Sequence, residues 1–230
     1  LVGSEMCIRD RVMEREYHQI KLGSAQGVMA MTGLDEAHPT RRNNERTVAG
    51  RHRMMRRADR EVTDCEQIEG IVAACRIVHV GYADAEGLTI VPLNFGYEWQ
   101  QDGDAGTGDE LAGLTLYIHS ASIGRKLDAI RAAGNALDVA FSMETDCEVI
   151  AGRTPCNWGE AFKSIVGNGT ASIIDNLDEA RQGLALLMKQ QAGMEHVEFT
   201  NQQVHAVTVW KVEADYLTAK VREKPQPHMH

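Results

Sequence analysis

The chain has 230 residues, 43% of them apolar and 25% charged. That is enough for one ordinary domain with an appendage and too little for two large ones, and no uninterrupted apolar stretch approaches the roughly 18 residues of a membrane-spanning helix. Charge is uneven: residues 1–54 carry 9 Lys/Arg against 7 Asp/Glu, whereas the remaining 176 carry 15 against 26, and an acidic body repels phosphate backbones, which argues against a nucleic-acid partner.

Taken in chain order, the first segment differs from the rest. Asp35 to Arg53 offers only Ala37, Val48 and Ala49 as apolar residues, too few to offset the entropy of ordering it. Residues 1–53 are therefore expected to be a disordered or artefactual leader, residues 54–224 the domain, and residues 225–230 a tail. No short basic segment is followed by an apolar run and a small-residue cleavage site. The five cysteines (Cys7, Cys65, Cys75, Cys147, Cys156) are an odd, scattered set without a Cys-x-x-Cys pair. Such usage argues against a disulfide framework or a zinc finger and fits a reduced, cytoplasmic compartment.

From Met55 onward the pattern is organised. Thr63 or Asp64 can cap a helix whose Ile68, Ile71, Val72 and Cys75 share one face. Arg76–Tyr82 reads as a strand, 83–87 as a turn, and Leu88–Trp99 as a second strand, with the Gly- and Asp-rich stretch 100–113 as a hairpin loop. Leu114–His119 is a third strand, running into a helix over 122–133, and 136–144 is a fourth strand. Residues 161–174 form a long strand in which Gly167 and Gly169 mark a bend or bulge. Asp178–Gln191 is a helix, and His205–Glu213 closes the sheet. Six strands and three helices without regular βαβ alternation predict a mainly β fold, a six-stranded antiparallel barrel with flanking helices.

The segment Leu116–Ile130 (LYIHSASIGRKLDAI) carries the chemistry. A strand ends at His119, small hydroxyl residues follow, and a helix begins with Ile123, Leu127 and Ile130 spaced to face the core. Arg125 and Lys126 fall in its first turn, where the positive end of the helix macrodipole repels cations by about 0.3–1 kcal/mol each. A bound anion reverses that sign. Free backbone N–H groups, the Ser120 and Ser122 hydroxyls and two cations converging on one point make a phosphate site.

Four stretches in this order, Met55–Asp64 (MRRADREVTD), Val91–Tyr97 (VPLNFGY), Tyr117–Lys126 (YIHSASIGRK) and Lys163–Gly169 (KSIVGNG), resemble the FMN-binding split β-barrels related to pyridoxamine 5′-phosphate oxidase, most of all the nitroimidazole-reductase (Nim) branch. The resemblance runs from about Met55 to Lys224 and implies a split barrel that forms a homodimer, with FMN in each of two interfacial clefts. On that resemblance Arg125 and Lys126 match the pair that grips the FMN phosphate, and His119 and Ser120 match strand-end positions beside the phosphate and ribityl chain. Thr89, Ile90, Val91, Pro92, Leu93 and Asn94 match the strand whose backbone runs along the isoalloxazine ring. Lys163 and Ser164 match positions near the pyrimidine side, where a cation stabilises the charge of the reduced flavin. Pro92 and Asn94 stand where many oxidase members carry basic residues, which argues against oxidation of pyridoxamine phosphate itself.

The resemblance thus implies an FMN-dependent oxidoreductase, nitroreductase-like, reducing nitro-aromatic compounds such as 5-nitroimidazoles with electrons from NAD(P)H. His119 is the candidate catalytic residue. The alternative is a non-catalytic haem- or flavin-binding split-barrel module, in which His119 is the natural axial ligand. Metal sites find no support in the sequence, because Cys75 and His79 lack a third ligand nearby, and Gly167-Asn168-Gly169 is not a dinucleotide fingerprint.

Overall fold

The computed structural model describes residues 55–100 and 113–225; the expected leader, most of the 100–113 loop and most of the tail lie outside these. The elements in order are β1 (Glu61–Val62), α1 (Cys65–Ala74), β2 (Ile77–Asp84), β3 (Gly87–Asn94), β4 (Gly96–Trp99), β5 (Leu114–Ser120), α2 (Arg125–Ala132), β6 (Leu137–Ile150), β7 (Gly159–Ile173), α3 (Leu177–Ala192), α4 (Asn201–His205) and β8 (Thr208–Arg222). Short 3-10 turns at Ala58–Arg60 and Pro155–Asn157 complete the described chain.

The strands form one antiparallel sheet in the order β3-β2-β6-β7-β8-β5-β4, with β1 paired to β8. Its two end strands, β3 and β4, are consecutive in the chain and separated only by the buried Phe95. One residue spans no more than about 3.6 Å, so the two ends of the sheet must meet and the sheet curls into a barrel. This is the antiparallel barrel expected from the sequence, with a different strand count: eight rather than six among the described residues. One added strand is the two-residue β1. The other comes from the run Leu88–Trp99, which is two strands rather than one. The break falls before Gly96, where a Cβ would lie 2.2 Å from the Leu187 amide nitrogen. Only a bare backbone lets α3 press against the chain there, and the strand turns to do so.

Strand alternation fills the interior. Val78, Val80 and Tyr82 of β2, Leu114, Leu116 and Ile118 of β5, Val139, Phe141 and Met143 of β6, and Leu217 and Ala219 of β8 are all buried in one cluster. The sequence places Ile68, Ile71, Val72 and Cys75 of α1 on a single face, and all four join that cluster; Asp64 caps the helix by accepting from the Gln67 amide at 2.9 Å. Leu127, Ala129 and Ile130 of α2 enter the same cluster. The bend expected at Gly167 and Gly169 is present as a register shift between Asn168 and Gly169 against β8.

Outside the barrel α3 lies on β4 and β5. Gly183 permits this contact, since a Cβ there would sit 2.6 Å from the Tyr117 ring. Gln190 and Gln191 fasten its far end by donating to the carbonyls of Cys75 at 2.7 Å and Phe95 at 2.8 Å. His205, expected in the last strand, ends α4 instead. Thr200 and Gln203 form a capping box that starts a helix there, and β8 then runs from Thr208 well past Glu213. No helix of the described residues is long and apolar enough to cross a membrane.

Candidate functional site

Helix α2 opens without a cap. Its N-cap residue is Gly124, with φ 137° and no side chain to accept a hydrogen bond. Asp64, Asn176 and Thr200 cap the other three helices of the described residues through their side chains. The amides of Leu127 and Asp128 reach the Gly124 carbonyl, which leaves those of Arg125 and Lys126 without a partner among the described residues. A Cβ at Gly124 would meet nothing within 4 Å, so this helix end faces open space. Free N–H groups, the positive end of the dipole and the Lys126 charge in the first turn together fit an anion.

The helix begins three residues later than its sequence pattern predicts. Ile123, expected in the core, therefore precedes the helix and is 81% exposed; Leu127 and Ile130 are buried as expected. The cause is Gly124, whose left-handed backbone turns the chain before α2 begins.

Ser120, the last residue of β5, is buried, and its hydroxyl accepts from the Trp210 indole N–H at 3.0 Å. An indole can only donate, so this bond fixes Ser120 as acceptor toward Trp210 and frees its own O–H to donate elsewhere. His119 stands on the opposite face of the strand and is exposed at its outer edge. The protein packed around the imidazole holds its pKa below the ordinary value, and the neighbouring Lys126 charge adds to that effect.

Arg125 is engaged. Its Nε and Nη2 grip the two Asp84 oxygens at 2.7 Å each, and Nη2 also donates to the Gly87 carbonyl at 3.1 Å. Glu86 stands 3.8 Å from Nε. The fork holds the Asp84 carboxyl below the usual carboxylate range, and the same carboxylate accepts from the Glu86 amide at 2.9 Å. Sequence reasoning missed Asp84. The Asp-Ala-Glu-Gly turn was visible, but the tertiary contact that brings it to α2 was not.

Strand β3, carrying Thr89 to Asn94, starts at this clasp and runs away from it. Val91 and Leu93 pack on the core, while Leu88 and Ile90 point outward, 89% and 70% exposed. Its position at the end of the sheet order explains how Pro92, which has no N–H, is tolerated. Asn94 lies at the far end, where its amide bonds the Gln191 side chain at 3.1 Å.

Lys163 and Ser164 are not at the α2 mouth. Lys163 pairs with Thr145 in the β6–β7 ladder, whereas Ala171, eight residues on, pairs with Leu137, the first residue of β6 after α2. At about 3.3 Å per residue the separation along β7 is about 26 Å. Lys163 forms an ion pair with Asp146 at 2.8 Å, and Ser164 faces the other side of the strand. A cavity of about 570 Å³, lined by Arg131, Leu177, Val204, His205 and Thr208, borders the mouth and was also not foreseen. It touches the Ser120–Gly124 segment through Arg131, which donates to the Ser122 carbonyl at 3.0 Å. Among the described residues no group of three or more His, Cys, Asp or Glu is placed to hold a metal ion.

An antiparallel barrel closed through a single residue, with flanking helices packed on it, defines the split-barrel class. The model describing pyridoxamine 5′-phosphate oxidase matches residues 64–221, and the chain belongs to that family. No curated protein matches it. Among solved structures it is similar to a "putative 5-nitroimidazole antibiotic resistance protein" from Bacteroides thetaiotaomicron, at 27% identity and a TM-score of 0.54, over 70% of this chain and 86% of that one. It shares its fold with the flavocytochrome Anf3 from Azotobacter vinelandii (19% identity, TM-score 0.58, 77% of this chain and 76% of that one). It likewise shares it with the FAD and heme binding protein from Mycobacterium smegmatis (18%, 0.55, 73% and 76%).

Proposed function

We propose that this chain is a flavin-dependent oxidoreductase that holds FMN by its phosphate at the α2 mouth and reduces nitro-aromatic compounds, such as 5-nitroimidazoles, with electrons from NAD(P)H. The observation that carries this reading is the uncapped start of α2, where the backbone N–H groups of Arg125 and Lys126 have no partner among the described residues and Gly124 meets open space. The likeness to the B. thetaiotaomicron protein supports the nitroimidazole substrate class.

A bound flavin supplies the redox chemistry, taking electrons from the nicotinamide and passing them to a flat acceptor. The chain's own residues bind and orient. The amides of Arg125 and Lys126 and the Ser120 O–H donate to the phosphate, while Lys126 supplies charge. The exposed side of β3 from Thr89 to Asn94 forms the wall along the ring. His119, neutral at pH 7 because its pKa is lowered, offers a ring nitrogen that relays a proton to the acceptor. Lys163 and Ser164, about 26 Å along β7 from the residue that pairs with the start of β6, take part only if a second copy brings them to the mouth, and a homodimer is part of the proposal.

The test is an absorption spectrum with cofactor extraction, followed by anaerobic turnover of a 5-nitroimidazole with NADH and NADPH. Flavin bands and nicotinamide-dependent loss of the nitro chromophore are expected. The exposed His119 at the mouth supports a second reading, a haem-binding module without turnover, and a Soret band without flavin bands would replace the first reading with it.

A further inference from the structure

A second, smaller apolar cluster lies outside the barrel core, where Ala180 of α3, Val204 of α4 and Val209 of β8 are buried together. These three residues form one side of the cavity of about 570 Å³, and Leu177 and Val207 continue that surface. The volume lies within the range of small-molecule sites, roughly 300–1,000 Å³. Apolar atoms facing a cavity lack contacts on one side, and a flat ligand supplies them.

The polar groups around that surface are of two kinds. Asn135 is committed: its Oδ1 accepts from the Ile173 amide at 2.6 Å, and its Nδ2 donates to the Ile173 carbonyl at 3.1 Å. Arg131 is held by the Asp128 carboxylate at 3.1 Å and the Ser122 carbonyl at 3.0 Å. That fixes a planar guanidinium beside the cavity, a group that stacks on flat rings. Asp175, His205 and Thr208 also line it, and their side chains make no hydrogen bond or ion pair among the described residues. A carboxylate only accepts, whereas imidazole and hydroxyl groups donate and accept. Arg131 against Asp128 and Asp175 leaves a net charge of −1, which disfavours an anion inside. The ligand that answers this set is flat and uncharged, with an N–H donor beside an acceptor.

Position narrows it further. Thr208 pairs with Ser120 across the β5–β8 ladder, and neighbouring strands lie about 4.8 Å apart. The cavity therefore begins one strand from the proposed phosphate site. The β3 wall leaves the mouth at the first residue of α2, from the turn that Arg125 holds. The cavity instead meets α2 at its last turn, through Arg131, and just beyond it at Gly134 and Asn135. A dinucleotide with a phosphate at the mouth reaches the cavity with its second base. Adenine has an amino donor beside ring-nitrogen acceptors.

We infer that this cavity is a subsite for the adenosine of a dinucleotide, its amino group donating to Asp175, its ring nitrogens accepting from Thr208 or His205, and its base lying between the apolar surface and Arg131. The inference rests on the flavin reading above and goes beyond FMN. FAD and NAD(P)H both carry the group, one on the flavin and the other on the electron donor.

The experiment is calorimetric titration of adenosine and of inosine into the full chain and the variants Asp175→Asn and Val207→Trp, each checked by thermal melt. Inosine replaces the amino donor with a carbonyl, so the parent is expected to prefer adenosine by about tenfold or more, the worth of one hydrogen bond to a charged group. Asp175→Asn should bring the two within about twofold, and Val207→Trp, which fills the cavity, should weaken both by about tenfold or more. Two further arms identify the source. FAD binding about tenfold tighter than FMN, an advantage lost in Val207→Trp, assigns the adenosine to the flavin. Equal FAD and FMN affinity, with a raised KM for NAD(P)H and an unchanged kcat in that variant, assigns it to the electron donor. Adenosine and inosine bound equally by the parent, or a preference that survives Asp175→Asn, overturns the inference and leaves the flavin reading standing. A parent that discriminates adenosine but binds no flavin overturns the flavin reading and leaves the cavity as an adenosine site.

Discussion

Trp210 donates its indole N–H to the Ser120 hydroxyl at 3.0 Å, a buried hydrogen bond between β8 and β5. Trp210 is 2% exposed, so neither partner can turn to water for a substitute. Ser120→Ala leaves a buried donor unsatisfied and is expected to lower stability by about 1–3 kcal/mol. Trp210→Phe removes that donor, and the double variant Ser120→Ala/Trp210→Phe should therefore cost less than the sum of the singles. Urea unfolding of the four proteins measures this, and strict additivity would contradict the contact.

Two glycines should respond to alanine with opposite signs. Gly124 adopts φ 137° and ψ 155°, a region open essentially to glycine, and Gly124→Ala is expected to cost about 1–3 kcal/mol although its Cβ touches nothing. Gly70 lies inside α1, also with nothing within 4 Å of its Cβ. Gly70→Ala should stabilise the protein by about 0.5–1 kcal/mol. Thermal melts of the two variants check both signs.

The Asp84–Arg125 clasp has a pH signature. The fork lowers the Asp84 pKa in the folded state, so the stability it adds is fully present above the unfolded carboxyl pKa near about 3.9 and is lost as pH falls through the folded value. Asp84→Asn should be less stable than the parent at pH 7, with the gap closing below about pH 4. A gap that stays constant between pH 7 and pH 2.5, measured by urea unfolding, would show that the carboxylate charge is not what the fork holds.

The elements legible in the sequence were those whose pattern is local. The α1 face of Ile68, Ile71, Val72 and Cys75 and the alternation of β2 and β5 follow from residue spacing alone. The break before Gly96 was not legible, because it depends on how closely the α3 backbone approaches, a distance with no trace in the run Leu88–Trp99. The capping box of α4 was written plainly as Thr200 and Gln203, yet the apolar alternation that begins nearby masked it. At the site, the strand-to-helix segment carrying His119, Ser120, Arg125 and Lys126 forms as expected, with His119 exposed, Ser120 buried and Arg125 turned to Asp84. Asp84, forty-one residues before Arg125, and Trp210, ninety after Ser120, are joined to it only by the closure of the barrel.

His119 should titrate low. The surrounding protein and the Lys126 charge both hold its pKa below the ordinary value of about 6.5. The unfolded chain therefore takes up this proton first as pH falls, and the contribution of His119 to stability declines from about pH 6.5 downward. Lys126→Ala removes one of the two causes and should raise the midpoint without restoring it fully. An NMR pH titration of the imidazole in parent and variant reads this directly, and an unchanged midpoint would place Lys126 away from the strand end.

The outward face of the sheet bears on how a complete site is assembled. Paired residues on neighbouring strands share a face, so Pro92, His79, Ser142, Val166 and Thr218 form one row, and Ile90, Gly81, Ala140, Asn168 and Tyr216 the next. Small residues at the centre of this surface leave it flat, and Ile90 and Val166 expose 70% and 54% of their area upon it. Ser164 stands on the same face, two residues from Val166. A homodimer formed through this face would cover the exposed apolar groups and bring Ser164, with Lys163 beside it, toward the mouth of a second copy. A stable interface of this kind buries about 1,200–2,000 Å², and a charge set in its middle has no partner there. Ile90→Lys and Val166→Lys are therefore expected to shift the protein from dimer to monomer in sedimentation at micromolar concentration while leaving its thermal melt largely intact, since both side chains face outward within the protomer. FMN affinity should fall with the dimer in Val166→Lys, whose site on β7 lies outside the β3 wall. A parent chain that sediments as a monomer while binding FMN tightly would show that one copy holds a complete site and that Lys163 and Ser164 are not part of it.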